Sequence, residues 1–471
     1  MTRALPPLYG RFVTAYRLPL WTLVALLLAL LALARPIDHD ESQYVAATLL
    51  AARALPYRDF AYLQTPLQPL LFAPLAVLAG SQAWIALRLA NAALGLVTLL
   101  LVERAARRAG ASETAAFAAA LLMGACDSFL FGAATARNDM LPATLLAAAL
   151  ALRPESGRRE ALLTGLVLSA AAAAKLSYAL PALAVGGDAL LRRERRAWWI
   201  AAGAVPMGLL VVGLAMAAPA AFWFEVITFP IQGPGEWYAR TNPAKLSQAA
   251  KALDWFKFLA LGPGPIALIA LRRVRAREPW LLLIAGIVAS LLPVPTWRQY
   301  LLPMLPPLFV CLALAWSVAP PGRGTRIATA ILVVAGLSLS IEALLGAARA
   351  GLPMLGAARD GAAIGAAYRA AGGRGPVATL SPQWLPAGGL AIDPRFAAGP
   401  FYFRGRGLLT PAAERRMGLV SVERLAQAPL SAVLTGAEPE ADAALAAAAR
   451  ARGMRAVAVP GTRFTLWLGR H

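Results

Sequence analysis

Histidine and cysteine are nearly missing from this chain of 471 residues, which has two of each. His39 and His471 cannot build an imidazole-rich zinc site. Cys126 and Cys311 both fall inside apolar stretches, so they read as small core residues and offer neither a disulfide framework nor a metal cage. Lysine occurs only at positions 175, 245, 251 and 257. No heptad or solenoid repeat, no transporter-like duplication and no glycine-rich loop of the Walker or dinucleotide kind is found along the chain. Acidic residues are also in deficit, 24 against 45 basic ones, for a formal charge of +21. In a soluble protein that excess would suggest nucleic acid. Here most of it sits in short loops between apolar runs, so no nucleic-acid partner is expected.

What the chain does contain is apolar sequence: 59% of its residues are hydrophobic, and the mean hydropathy is +0.61. A lipid-spanning helix needs roughly 20 apolar residues, and runs of about that length recur through residue 345 with arginine-rich breaks between them. This is the composition of an α-helical polytopic membrane protein. Eleven spans are expected, near 18–34, 83–103, 114–131, 140–152, 160–175, 177–191, 197–218, 254–271, 279–293, 300–318 and 326–346. Residues 66–80, opened by Pro66-Leu67-Gln68-Pro69, are short and proline-marked and read as an outward interfacial or re-entrant helix.

Loop charge sets the expected topology. Arg3, Arg11 and Arg17, then Arg104, Arg107 and Arg108, Arg153, Arg158 and Arg159, Arg192 to Arg196, Arg272 to Arg277, and Arg323 and Arg326 mark the cytoplasmic side. The outward side then receives residues 38–41, Arg137-Asn138-Asp139, Lys175, the loop 220–253 and Pro293 to Tyr300. A secretory signal ending at Ala32-Leu33-Ala34 is the weaker reading of the first run, which is long for that purpose. Beyond residue 350 the apolar periodicity stops. Short strands at Val377–Leu380, Ala432–Thr435 and Ala456–Val459 and a helix near Glu438–Arg452 suggest a small α/β domain. The division is therefore a membrane domain, 1–349, and an outward C-terminal domain, 350–471.

Asp38-His39-Asp40-Glu41 places three carboxylates and an imidazole directly after the first long apolar run. Ionisable groups at a membrane edge are costly and by default mark a functional path or site. The plain alternative is a solvated loop in which Asp40 caps a helix over 41–54.

The stretch Asp40-Glu41-Ser42-Gln43-Tyr44, followed by Leu55-Pro56-Tyr57-Arg58-Asp59-Phe60 and Thr65-Pro66-Leu67-Gln68-Pro69, resembles the first periplasmic loop of the C-type glycosyltransferases. Within them it is similar to the protein O-mannosyltransferases and to the lipid A aminoarabinose and lipopolysaccharide galacturonic acid transferases. The likeness covers roughly residues 10–345. Ala136-Arg137-Asn138-Asp139 and Trp297-Arg298-Gln299-Tyr300-Leu301-Leu302-Pro303 match further family segments, although Gln299 stands where the commoner form has arginine.

The resemblance implies the C-type fold, with about eleven spans plus periplasmic interfacial helices, in a bacterial inner membrane. It implies a glycosyltransferase using a polyprenyl-phosphate-linked sugar donor and a glycan, lipid or protein acceptor, and acting on the periplasmic face. A carboxylate would serve as base for the acceptor, and cations would offset charge on the departing lipid phosphate. By that match Asp40 is the base and Glu41 its support, and Lys175, Arg298 and Tyr300 are donor-phosphate residues. Arg58, Asp59, Arg137 and Asp139 serve the acceptor or the loops.

Structural alternatives stand beside each of these roles. Lys175 can snorkel to the interface, Arg58 and Asp59 can pair with each other, and Asp139 can cap the helix beginning near Met140. Trp223, Phe224, Trp237 and Tyr238 can be interfacial anchors. No cofactor or metal is expected, since an oxygen-ligand site would require Asp38, Asp40 or Asp139 to converge. The competing functional classes are a transporter or flippase and a polymerase or ligase for lipid-linked glycans. Ionisable residues gathered on the outer surface, and not at the midplane of interrupted helices, speak against transport.

Overall fold

The computed structural model describes residues 7–152, 157–405 and 408–469, with side chains from residue 16 onward. Of the arginines expected to face the cytoplasm, Arg3, Arg153 and the side chain of Arg11 lie outside the described residues, as does His471. The chain forms two compact units. The first comprises Met1–Ala32, Leu89–Gly208 and Gln248–Gly346, and the second Leu33–Arg88, Leu209–Ser247 and Ala347–His471.

Alanine and leucine dominate the first unit and favour helix, the conformation that satisfies every backbone polar group within its own segment in lipid. Among the described residues four helical stretches are long and apolar enough to cross a membrane: Tyr16–Ala34, Leu67–Arg108, Arg196–Ala217 and Arg323–Ala350. Up to six qualify if each of two bent pairs counts as one span, and Met140–Ala151, Leu176–Leu191 and Leu305–Val318 are shorter apolar helices.

The bends fall in two expected spans. The run read as 114–131 divides into Glu113–Gly124 and Asp127–Ala134, inclined by 68°, and the run read as 254–271 into Gln248–Ala260 and Gly264–Arg273, inclined by 93°. Both breaks have a local cause. Asp127, a carboxylate inside an apolar run, opens a new helix, and Gly262-Pro263-Gly264 interrupts the other. The two breaks meet where the Asp127 N–H donates to the Leu261 carbonyl at 2.9 Å.

Packing in this unit relies on small side chains. Phe129, Met140, Leu146, Leu308 and Phe309 are fully buried among alanines. The helices Arg158–Ala174 and Arg196–Ala217 meet backbone to backbone, since a Cβ on Gly165 would lie 1.9 Å from the Ile200 carbonyl oxygen and one on Gly203 2.0 Å from that of Leu162.

In the second unit the tail carries a four-stranded sheet: β1 Val377–Ala378, β2 Ala432–Thr435, β3 Arg455–Ala458 and β4 Thr465–Leu468, in the order β1-β2-β4-β3. β1 runs parallel to β2, and the β2/β4 and β3/β4 pairs are antiparallel. Val433 and Ala456 both pair with Trp467, on opposite edges of β4. Helix Pro439–Ala451 buries Leu445 and Ala449 with Val433, Phe396 and Leu425 in one core. The central strand β4 has no counterpart in the sequence reading, because four residues give too short an alternation to stand out.

The loop expected over 220–253 is corrected to helix: Pro219–Trp223, a π-helical turn Phe224–Thr228, then Phe229–Thr241 and the start of Gln248–Ala260. Pro230 comes just after the π-helical turn, within a helical stretch that is continuous from Pro219 to Thr241. Phe224 and Phe229 are held by a cluster with Leu63 and Tyr402. Phe224 is therefore core, whereas Trp223 is exposed.

Candidate active site

The acidic stretch forms a tight turn ahead of helix Glu41–Leu50, which ends four residues earlier than expected. The Glu41 N–H donates to the Asp38 carbonyl at 3.2 Å, the Asp38 N–H to Glu41 Oε2 at 3.2 Å, and the Asp40 N–H to Asp38 Oδ1 at 2.9 Å. Asp40 occupies the N-cap position but makes no side-chain cap. Its Oδ1 lies 2.9 Å from His39 Nε2, so the capping alternative is not realised.

Glu41 is oriented differently, buried against Arg88. The guanidinium Nε donates to Oε1 at 2.7 Å and NH2 to Oε2 at 2.5 Å, while NH1 and NH2 also donate to the carbonyls of Arg35 (2.9 Å) and Pro36 (3.2 Å). One arginine thus ties the end of the first apolar helix to the carboxylate turn. Arg88 was not expected, although a lone charge near the end of an apolar run is itself a signal.

His39 is shared between Asp40 and Arg404, whose NH1 lies 3.1 Å from Nε2 and whose NH2 pairs with Glu438 at 3.3 Å. Burial lowers the imidazole pKa, but the hydrogen bond and charge of Asp40 outweigh it, and the net shift is upward. Burial likewise raises the Glu438 carboxyl, against the opposing charge of Arg404. Asp38, His39 and Asp40 bring one ligand atom each to within 4.8 Å of one another, a donor set open to a divalent cation. The Arg404 guanidinium on the same imidazole nitrogen works against such an ion, and no step below passes through one.

In the following loop Arg58 and Asp59 pair bidentately, Nε to Oδ1 and NH2 to Oδ2 both at 2.8 Å, and Asp59 also accepts the Leu55 N–H at 2.8 Å. This pair closes a turn at the surface. The buried member of the motif is Tyr57, held at φ 68°, with its hydroxyl donating to the Gln64 carbonyl at 2.7 Å. Nearby, the Tyr62 N–H donates to the buried Glu225 carboxylate at 2.7 Å. Glu225 escaped the sequence reading because the 220–253 stretch looked like loop.

The first unit gathers the other candidates. Asn91 Nδ2 clasps the turn 135–139 by donating to the Thr135 and Arg137 carbonyls at 2.6 and 2.8 Å. Within that turn Arg137 Nε donates to Asp139 Oδ2 at 3.0 Å, and Lys175 Nζ pairs with Asp139 Oδ1. Asp139 stands at an N-cap position without capping, so its carboxylate is committed to cations. Lys175 ends helix Arg158–Ala174 in extended backbone, and its ammonium lies 5.5 Å from the Tyr300 ring centroid. Lys175 is buried, so it does not snorkel.

Arg298 pairs with Asp127 at 3.0 Å, and its guanidinium sits 4.8 Å from the Phe131 ring centroid. Arg137 lies 5.4 Å from that same centroid, so one ring carries both arginines. Lys175, Arg137 and Arg298 with Asp139 and Asp127 make three positive and two negative charges, which suits an anionic ligand. Asp127 and Phe131 were absorbed into an expected span and missed.

The model of glycosyltransferase family 87 matches residues 62–296. In solved structures the fold is similar to that of ArnT from Cupriavidus metallidurans in the apo state, at TM-score 0.62 and 17% identity over 98% of this chain and 100% of that one. It is also similar to the same protein bound to undecaprenyl phosphate, at TM-score 0.61 and 17% identity over 96% and 99%. No curated protein matches the chain by sequence.

Proposed function

We propose that the chain is a C-type membrane glycosyltransferase that transfers a sugar from a polyprenyl-phosphate carrier to a glycan, lipid or protein acceptor at the periplasmic face of a bacterial inner membrane. The observation that carries the reading is the set of three cations against two carboxylates at Arg137, Lys175 and Arg298, largely withdrawn from solvent. A cluster rich in cations of this kind suits a lipid phosphate. The solved fold relative that holds undecaprenyl phosphate supports the same class of donor.

In the proposed reaction the acceptor hydroxyl oxygen attacks the anomeric carbon, and Asp40 takes its proton. The bond from that carbon to the phosphate oxygen breaks, and its electron pair leaves with the lipid phosphate. Lys175 and Arg298 stabilise the charge that accumulates there, with Tyr300 packed on the ammonium. Glu41, locked to Arg88, is a positioning residue that holds Asp40 in its turn. Arg58 and Asp59 shape the loop, and Arg137 and Asp139 orient Lys175. The eleven-span topology, with residues 350–471 and the outward loops in the periplasm, rests on the alternation of arginine clusters with acidic loops.

The test is turnover by purified protein in detergent. Transfer from a polyprenyl-phosphate sugar is expected, and equal turnover with a nucleotide sugar alone would overturn the reading.

A further inference from the structure

A carboxylate in the middle of an apolar run is costly to bury and calls for a partner or a purpose. Asp127 stands in that position, at the start of the second limb of the bent pair Glu113–Gly124 and Asp127–Ala134. The bend that presents it is fixed by backbone contacts on two sides. The Asp127 N–H donates to the Leu261 carbonyl at 2.9 Å, and the next residue, Gly262 at φ 149°, has no room for a side chain, since a Cβ there would lie 2.7 Å from Cys126 Cα. Helix Arg323–Ala350 crosses the same bend on Gly336, where a Cβ would lie 2.0 Å from the Ala125 carbonyl oxygen. Residues 125–127 can therefore shift little, and the Asp127 carboxylate projects from a rigid base.

That carboxylate takes only one corner of Arg298. Its Oδ2 accepts from NH1 at 3.0 Å, and among the described residues it is the one acceptor for this guanidinium. A guanidinium carries its N–H donors in a fixed fork, so with NH1 engaged the edge formed by Nε and NH2 stays whole and fits two oxygens of a phosphate. Exposure separates the two partners. The Arg298 side chain is 28% exposed and that of Asp127 1%, so the cation and not the carboxylate is within reach of a ligand. Phe131 follows Asp127 by four residues and shares its helix face, and its ring centroid lies 4.8 Å from the Arg298 guanidinium. One face of a single short helix thus supplies both a charge and a ring to the same arginine.

We infer that Asp127 and Phe131 are positioning residues that aim the open edge of Arg298 at the phosphate of the lipid donor, without touching the donor themselves. The inference rests on the transferase reading above and adds to it the groups that give Arg298 its direction. A long side chain loses rotamer freedom when it binds, and an arginine already held at NH1 and against a ring loses less. The plain alternative is an ion pair that only holds the bend. The two differ in what a substitution does: a loosened bend affects every ligand and the melting temperature, whereas a misdirected arginine matters only while Arg298 is present and only for a ligand that carries a phosphate.

Full-length protein in detergent would be titrated with undecaprenyl phosphate and with undecaprenol, the same chain without the phosphate. The parent, Asp127→Asn, Arg298→Met and the double variant would be compared, with thermal midpoints taken on each. Arg298→Met should weaken undecaprenyl phosphate about tenfold or more, the loss of a charge-assisted contact. Asp127→Asn should weaken it about threefold to tenfold, and the double variant should bind no more weakly than Arg298→Met alone. Undecaprenol should bind all four alike. If Asp127→Asn does not fold, Phe131→Leu at its half-buried position enters the same cycle, with a loss of about threefold that should likewise disappear once Arg298 is methionine. Unchanged phosphate affinity in the folded variant, additive losses in the double variant, or an equal loss for undecaprenol would each overturn the positioning role, and a weakened Arg298→Met would then leave the donor reading standing. A parent that does not bind undecaprenyl phosphate would remove the donor reading and this role with it.

Discussion

Arg88 and Glu41, separated by 47 residues of chain, form a fully buried bidentate ion pair. Removing one partner strands a charge in the interior, typically at a cost of about 3–5 kcal/mol, whereas replacing both by neutral groups is far milder. Arg88→Met should therefore lower the thermal midpoint markedly in detergent, and the double variant Glu41→Gln/Arg88→Met should recover much of the loss. A single variant that melts like the parent would show that the pair does not hold the turn.

Asp40→Asn keeps the size of the side chain and removes its basicity. The rate of sugar transfer should fall by about 10²–10⁴ while donor binding survives. Turnover would be compared with binding of the lipid donor on one preparation, and near-normal turnover would end the assignment of Asp40 as base.

Lys175→Met removes a buried cation but keeps most of the apolar stem. Donor affinity or the rate of phosphate departure should drop, and Asp139 keeps Arg137 as partner, so the turn 135–139 should stay folded. Unchanged affinity and rate would leave Lys175 with only its structural pairing to Asp139.

His39 holds its proton more tightly in the folded protein than its ordinary value of 6.5 implies, through Asp40 and against both burial and the nearby Arg404. Its contribution to stability is thus complete below about pH 6.5 and is lost as pH rises through the higher folded value. Half of the side chain is solvent-facing, so the effect should be modest. Thermal midpoints followed from pH 5.5 to 8.5 should decline less in His39→Gln than in the parent, and parallel curves would exclude the imidazole as the titrating group.

Much of the architecture was legible along the chain because its causes are local. Apolar run length and loop charge mark a helical membrane protein, and the carboxylates at 38–41 stand out because they directly follow a long apolar helix. Strands β2 and β3 and helix Pro439–Ala451 were also foreseen to within a residue or two. Sequence pattern records how much of a side chain is to be buried, but not what it meets there. Glu41 finds Arg88 across 47 residues, Tyr62 finds Glu225 across 163, and Arg298 finds Asp127 across 171. Each of these partners lay in a stretch that looked like ordinary span or loop. The sequence therefore determined that carboxylates and cations would be present at these depths, while only the tertiary structure decided their partners, because a buried charge is stabilised by whichever opposite charge packing brings within reach, regardless of its distance along the chain.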